Sequence, residues 1–187
     1  ELIENILDLT KFDSGRLALE EEVVDINDLI VRTVRKLKER ALSDGVALKY
    51  DIDDDEIFLR CDERKLNQIL FCLISNGIKF TKAGGEVDIL AWCDEENGFV
   101  IQIADTGIGM KRDDISKALT PFGQVDSALT RQYSGSGLGL NLTSALVDLH
   151  GGSLNVQSEP NVGTTVTGRF PADRIVPATP ETATFIG

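Results

Sequence analysis

The chain has 187 residues, 42% hydrophobic and 27% charged, with 31 acidic against 19 basic side chains and a net charge of −12. That length carries one sizeable domain with an appendage, and the acidic balance argues against a nucleic-acid surface or an anionic-membrane contact. The longest apolar run, residues 69–74, is too short to span a bilayer, and Cys61, Cys72 and Cys93 form no C-x-x-C pair, which favours reduced thiols over a metal cluster.

Leu2, Ile3, Ile6, Leu7, Leu9 and Phe12 recur at three- and four-residue spacing and predict a helix over 1–14 with an apolar stripe. No capping residue precedes it, so the helix is expected to be the tail of a longer, dimerising one, the rival reading being a helix packed on its own domain. Residues 23–26 predict a short strand, after which Asn27 or Asp28 is expected to cap a helix reaching about Leu42. Val46–Ile52 alternates as a strand, Asp53 begins a turn, and Ile57–Cys61 returns as another. Asp62 caps a helix over 63–80 whose buried face is Leu66, Ile69, Leu70, Leu73, Ile74 and Ile78. Val87–Cys93 and Phe99–Ala104 read as a hairpin, and a short helix follows over 112–119. Residues 120–136 have no period and read as a long loop, which is uncommon unless functional. Leu138–His150 is helical, Ser153–Gln157 and Thr164–Phe170 form a last hairpin, and residues 171–187 hold three of the five prolines and read as a loose tail. The expected fold is α+β: one mixed, mostly antiparallel sheet with helices on one face, preceded by a helical stub.

Three stretches carry chemistry. Asp105-Thr106-Gly107-Ile108-Gly109 follows an apolar strand. A carboxylate there is costly to bury without a donor, and the glycines let the backbone approach a flat ligand with an amino group, such as adenine. The rival reading is an ordinary strand-to-helix turn. Gly135-Ser136-Gly137-Leu138-Gly139-Leu140 opens a helix, where bare amides and the positive dipole end suit phosphate, or where glycines merely make a hinge. Asn76 lies beside the apolar stripe of the 63–80 helix, as an oxygen ligand for Mg²⁺ or as a helix-edge amide. Lys79, one turn on, balances phosphate charge or is simply solvated.

In this order, with Gly163-Thr164-Thr165 in the last hairpin, the set resembles the ATP-binding catalytic domain of two-component sensor histidine kinases, over roughly residues 1–171. Gyrase-type ATPases, Hsp90 and MutL share the wider superfamily. The resemblance implies a Bergerat two-layer α/β sandwich, divided as 1–19, the end of the second dimerisation helix; 20–171, the ATP-binding domain; and 172–187, the tail. It implies ATP and Mg²⁺ as cofactors, Asn76 as metal ligand, and Lys79 and Arg131 beside Asn76 in the phosphoryl chemistry. Asp105, Gly107, Ile108 and Gly109 would hold adenine, with Thr165 supporting it beside Asp105. Phe122 falls in the F box and Arg131 and Tyr133 in the ATP lid. Gly135, Ser136, Gly137, Leu138, Gly139 and Leu140 form the second glycine box.

Cys72 departs from the pattern, standing where these kinases usually carry Asn and relatives often Glu, and Gly77 replaces the usual Ala. His150, the single histidine, sits at the family's usual helix end and reads as structural, so the phosphoacceptor is expected on a dimerisation domain outside these residues. The implied partners are that domain and a response-regulator receiver, with no nucleic acid and a membrane only through other regions. The implied location is cytoplasmic. The rivals are a gyrase- or Hsp90-type ATPase and a degenerate nucleotide-sensing scaffold.

Overall fold

The computed structural model describes residues 2–53, 56–94, 98–120 and 137–177. In chain order the elements are α1 (Leu2–Asp13), β1 (Glu22–Asp25), α2 (Ile26–Asp44), β2 (Ala47–Ile52), β3 (Phe58–Cys61), α3 (Glu63–Phe80), β4 (Glu86–Asp94), β5 (Gly98–Asp105), α4 (Arg112–Ala118), α5 (Gly139–Leu149), β6 (Ser153–Glu159), β7 (Gly163–Phe170) and β8 (Ile175–Val176).

The main sheet has the order β2-β4-β5-β7-β6. All its ladders are antiparallel except β2 with β4. The centre falls on β5 because that strand is apolar on both faces, with Phe99, Val100, Ile101 and Ile103 all buried. Side chains alternate across a sheet. Phe99, Ile101, Ile103 and Asp105 therefore share one face with Val87, Ile89 and Ala91 of β4 and Thr164, Val166 and Phe170 of β7. Helices α2, α3 and α5 cover that face. Leu66, Ile69, Leu70, Leu73, Ile74 and Ile78 of α3 all point into the shared core, as their spacing predicts.

The sequence reading is corrected at three elements. The cap of α2 is Asp25, whose side chain accepts the Asp28 amide, rather than Asn27 or Asp28. Ile26 is fully buried, so the helix begins at the first residue able to reach the core. The expected return of Ile57–Cys61 against Val46–Ile52 does not occur. Instead β3 joins β1 and β8 in a separate three-stranded sheet, while β2 pairs in parallel with β4. The start of the supposed tail is built in: Ala172–Arg174 makes a 3-10 turn and β8 pairs with β3. The Arg174 guanidinium donates to the carbonyls of His150 and Arg60 and pairs with Glu21 at 2.9 Å. Residues 178–187 lie outside the described residues.

Helix α1 packs against α5, with Leu9 buried and Phe12 against the core. Asp8 pairs with Lys65 of α3 at 2.7 Å, both only slightly exposed. Among the described residues no helix is long and apolar enough to cross a membrane.

Candidate functional site

Strand β5 carries Asp105 out at its end, on the helix-covered face. Its Oδ1 accepts the Gly107 amide at 2.9 Å and the Thr164 amide at 3.2 Å. Its Oδ2 accepts nothing from the described residues. Burial pushes the carboxyl above its ordinary value, and the two amides oppose that shift. A half-buried carboxylate with one oxygen open is an acceptor that a ligand amino group would satisfy.

The loop after Asp105 is clamped from two sides. A Cβ at Gly107 would stand 2.5 Å from the Phe80 carbonyl oxygen and 2.7 Å from Asp105 Oδ1. The Ile108 amide donates to the same Phe80 carbonyl at 3.1 Å, and the Ile108 carbonyl accepts the Asn161 amide at 2.8 Å. Gly109 has a φ of +60°, and a Cβ there would land on the Glu159 carbonyl. The Met110 amide donates to Ser158 Oγ at 2.8 Å, and Ser158 Oγ lies 2.9 Å from Thr164 Oγ1. The end of α3 and the β6–β7 turn thus hold the loop between them.

The register separates the two adjacent threonines, Thr164 and Thr165. Asp105 pairs with Thr164 across the β5–β7 ladder, and Thr165 pairs with Ala104. Because faces alternate, Thr165 points to the side of the sheet away from α3, and Thr164 stands beside the carboxylate.

Helix α3 presents Asn76 and Lys79 near this loop. The Asn76 amide Nδ2 donates to Cys72 Sγ at 3.6 Å, and its Oδ1 has no partner among the described residues. The Lys79 ammonium lies 4.8 Å from the Phe80 ring centroid. Burial first, and the nearby Arg40 second, hold Lys79 below its ordinary value. Burial raises the Cys72 thiol above its ordinary value, so the group opposite Asn76 is a neutral thiol rather than a base.

Helix α5 brings in the second glycine motif. Gly137 has a φ of +70°, Leu138 is buried and leads into Gly139, and Leu140 packs on the core. Among the described residues no side chain caps this helix. Its first amides lie at the positive dipole end. A Cβ at Gly139 would stand 2.7 Å from Cys72 Sγ and 3.6 Å from Asn76 Nδ2. The fold has brought two motifs that are far apart in sequence to contact. Phe122, Arg131, Tyr133, Gly135 and Ser136 lie outside the described residues.

Two further residues belong to this geometry. A Cβ at Gly77 would stand 3.1 Å from both Val87 methyls and 3.7 Å from Asp105 Cβ, so a small residue is needed where α3 crosses the carboxylate. Thr164 could have been found from the alternation of β7 with Phe170 as the inward reference. His150 is fully buried. Its Nε2 accepts the Asp62 amide at 3.2 Å and its Nδ1 donates to the Leu146 carbonyl at 2.7 Å. Both ring nitrogens are engaged, and burial holds the imidazole below its ordinary value.

A family model described as histidine kinase-, DNA gyrase B-, and HSP90-like ATPase matches residues 61–174. The chain belongs to this family. Among the relatives of this ATPase domain is the circadian input-output histidine kinase CikA of Synechococcus elongatus, 35% identical over 94% of the chain and 24% of that protein. Histidine protein kinase DivJ of Caulobacter vibrioides is 35% identical over 91% of the chain and 28% of that protein. The chain therefore spans about a quarter of the length of these curated relatives. Full-length ShkA in complex with AMPPNP superposes with a TM-score of 0.78 at 27% identity, over 95% of the chain and 36% of that one. Acinetobacter baumannii AdeS, at 21% identity, shares the fold with a TM-score of 0.75 over 92% of the chain and 77% of that one. The domain is a member of a histidine kinase ATPase family with the matching mixed α/β fold.

The residues present fit Mg-ATP. Asp105 offers an open acceptor for an exocyclic amine, Asn76 an open oxygen for a hard cation, and α5 its N-terminal amides for phosphate.

Proposed function

We propose that this domain binds Mg-ATP and donates the γ-phosphoryl group to a histidine on a dimerisation helix of the same protein, for relay to a receiver aspartate. Residues 1–19 would be the end of that dimerisation unit and residues 20–171 the catalytic domain. Ile6 and Leu7, both exposed on α1, are suited to a partner helix.

The observation that carries the reading is the convergence of a carboxylate oxygen and an amide oxygen, both open among the described residues, with a helix N-terminus around two glycine turns. Asp105 selects the base, backed by Thr164 on the neighbouring strand. Gly107 and Gly109 keep the loop thin enough for a flat ring to approach. Asn76 Oδ1 would hold Mg²⁺, and Lys79 with the α5 amides would take the phosphate charge. When bound, the ion would neutralise charge that builds on the phosphate oxygens. In the transfer, the bond from the γ-phosphorus to the bridging oxygen breaks, ADP takes that electron pair, and a P–N bond forms as the imidazole releases its proton to solvent. The protein chiefly positions and neutralises.

Cys72 favours one second reading, a nucleotide-holding module with weak or no catalysis. A neutral thiol beside Asn76 provides no base for ordering water or acceptor. A gyrase-type hydrolase is less favoured for the same reason, since a carboxylate is wanted there.

Calorimetry with ATP, with and without Mg²⁺, followed by radiolabel transfer to an added dimerisation domain bearing its histidine, separates the readings. Binding with transfer supports the kinase. Binding without transfer supports the holding module, and no binding removes both.

A further inference from the structure

Helix α2 contributes a cation that the motifs do not include. Arg40 reaches across to α3, where its Nη1 donates to Ser75 Oγ at 2.7 Å. Ser75 and Lys79 are one helical turn apart, on the same face of α3. Arg40 and Lys79 are thus close neighbours, and Arg40 is one of the groups that depress the Lys79 ammonium.

Like charges side by side oppose folding unless something offsets them. The offset does not come from the described part of the protein. Arg40 has one carboxylate nearby, Asp44, at a long 3.8 Å from Nε. Lys79 pairs with no carboxylate among the described residues. In a chain with 31 acidic residues to 19 basic ones, carboxylates are the easiest partner to supply. Beyond the bonds to Ser75 and Asp44, the guanidinium has no further partner among the described residues. A guanidinium carries five N–H donors in a fixed fork suited to phosphate oxygens.

We propose that Arg40 is a further phosphate-positioning residue, acting with Lys79 on the terminal phosphates of a bound nucleoside triphosphate while Ser75 holds its side chain in place. This rests on the nucleotide-binding reading above and adds a specificity for the number of phosphates. Arg40 is 45% exposed in its side chain, so its approach to a ligand needs no rearrangement of the core.

The test measures the affinity of the 187-residue chain for ATP, ADP and AMP by calorimetry, for wild type, Arg40→Gln and Lys38→Gln. Lys38 is exposed on the same helix and controls for the lost charge. Arg40→Gln is expected to weaken ATP by about fivefold to tenfold, ADP less, and AMP not at all, with Lys38→Gln like wild type. Equal losses for all three nucleotides, or equal losses in both variants, would overturn the proposal. Nucleotide binding that Arg40→Gln leaves unchanged would overturn it while leaving the ATP site standing. Failure of the wild type to bind any of the three would remove the site and this residue's role together. A readout independent of nucleotide is the Lys79 titration by NMR. It should move upward in Arg40→Gln, and an unmoved titration would count against the pairing.

Discussion

Asp105 is held in its site at the expense of the fold. Its carboxyl is half-buried, which raises it above its ordinary value, and the amides of Gly107 and Thr164 compensate only in part. The sign follows directly: a raised acid binds more protons folded than unfolded, so stability is lost as pH rises from the ordinary value of 3.8 through the folded one. Removing the charge should therefore not destabilise the empty domain. Asp105→Asn keeps an oxygen for the two amides, and its melting temperature is expected to equal or exceed that of wild type. The same change should weaken ATP binding at least about tenfold, because a charge-assisted bond of about 1.5–3 kcal/mol is lost. Thermal melts and calorimetry on one preparation check both halves. His150 titrates in the opposite direction. Its folded value is lowered, so the unfolded chain takes up protons first and stability falls as pH drops below 6.5. Denaturant melts from pH 7.5 down to 5.5 should show a decline that His150→Gln largely removes. Asp105 and Asn76 stand out in the sequence because of the motifs that flank them, and the fold brings their helix and strand together. Which of the two adjacent threonines lies beside Asp105 is not legible in the motif alone, because the strand register assigns each a face. Arg40 was invisible because nothing in α2 alone announces which neighbour it meets on α3.

At the scale of elements, most boundaries came from simple physics. The six-residue stripe of α3 and the aspartate before it defined a helix that the structure reproduces at Glu63–Phe80. The same logic predicts what breaks it. Asp62 caps α3 by accepting the Lys65 amide and also accepts the Glu20 amide. Asp62→Ala should cost about 1–2 kcal/mol, read as a lower denaturant midpoint. The loop of the first glycine motif depends on Gly109, which combines a positive φ with contact against Glu159. Gly109→Ala is expected to lower stability by about 2 kcal/mol or more and to disturb adenine affinity together with it. A melt with unchanged midpoint would refute the clamped loop. The strands were harder. β2 and β3 are neighbours in sequence with few residues between them, a spacing that suits a hairpin, but they join different sheets. Local pattern shows that a stretch is extended. It does not reveal its partner, because pairing is decided by which edges the buried faces leave open.

For the whole molecule, the arrangement makes the site a product of long-range contacts rather than of any one segment. The base would be held by β5 and β7, the metal by α3, and the phosphates by α5 with α2 to the side. These elements share one core, so a cavity in its middle should be felt at the site. Leu70, fully buried on α3, is a suitable probe. Leu70→Ala should cost about 2–5 kcal/mol and, if the domain survives, loosen nucleotide affinity with no ligand contact removed. The family was legible from the order of its motifs. The second sheet was not, since its third strand is two residues long and lies in a stretch that reads as tail.

The Arg174 bridge closes a very long circuit. Its partner Glu21 is 153 positions earlier in the chain, and Arg60 is 114 positions earlier. β8 closes the small sheet onto β3 from the same end of the chain. A nascent chain emerging from a ribosome can form α2, α3 and the β4–β5 hairpin early. It cannot seal the small sheet until residues 174–176 have cleared the exit, and non-local closure of this kind slows folding. During synthesis the segment around Glu21 and Arg60 therefore waits for its last partner. In that interval the edge of β3 that β8 later covers is open to a wrong strand.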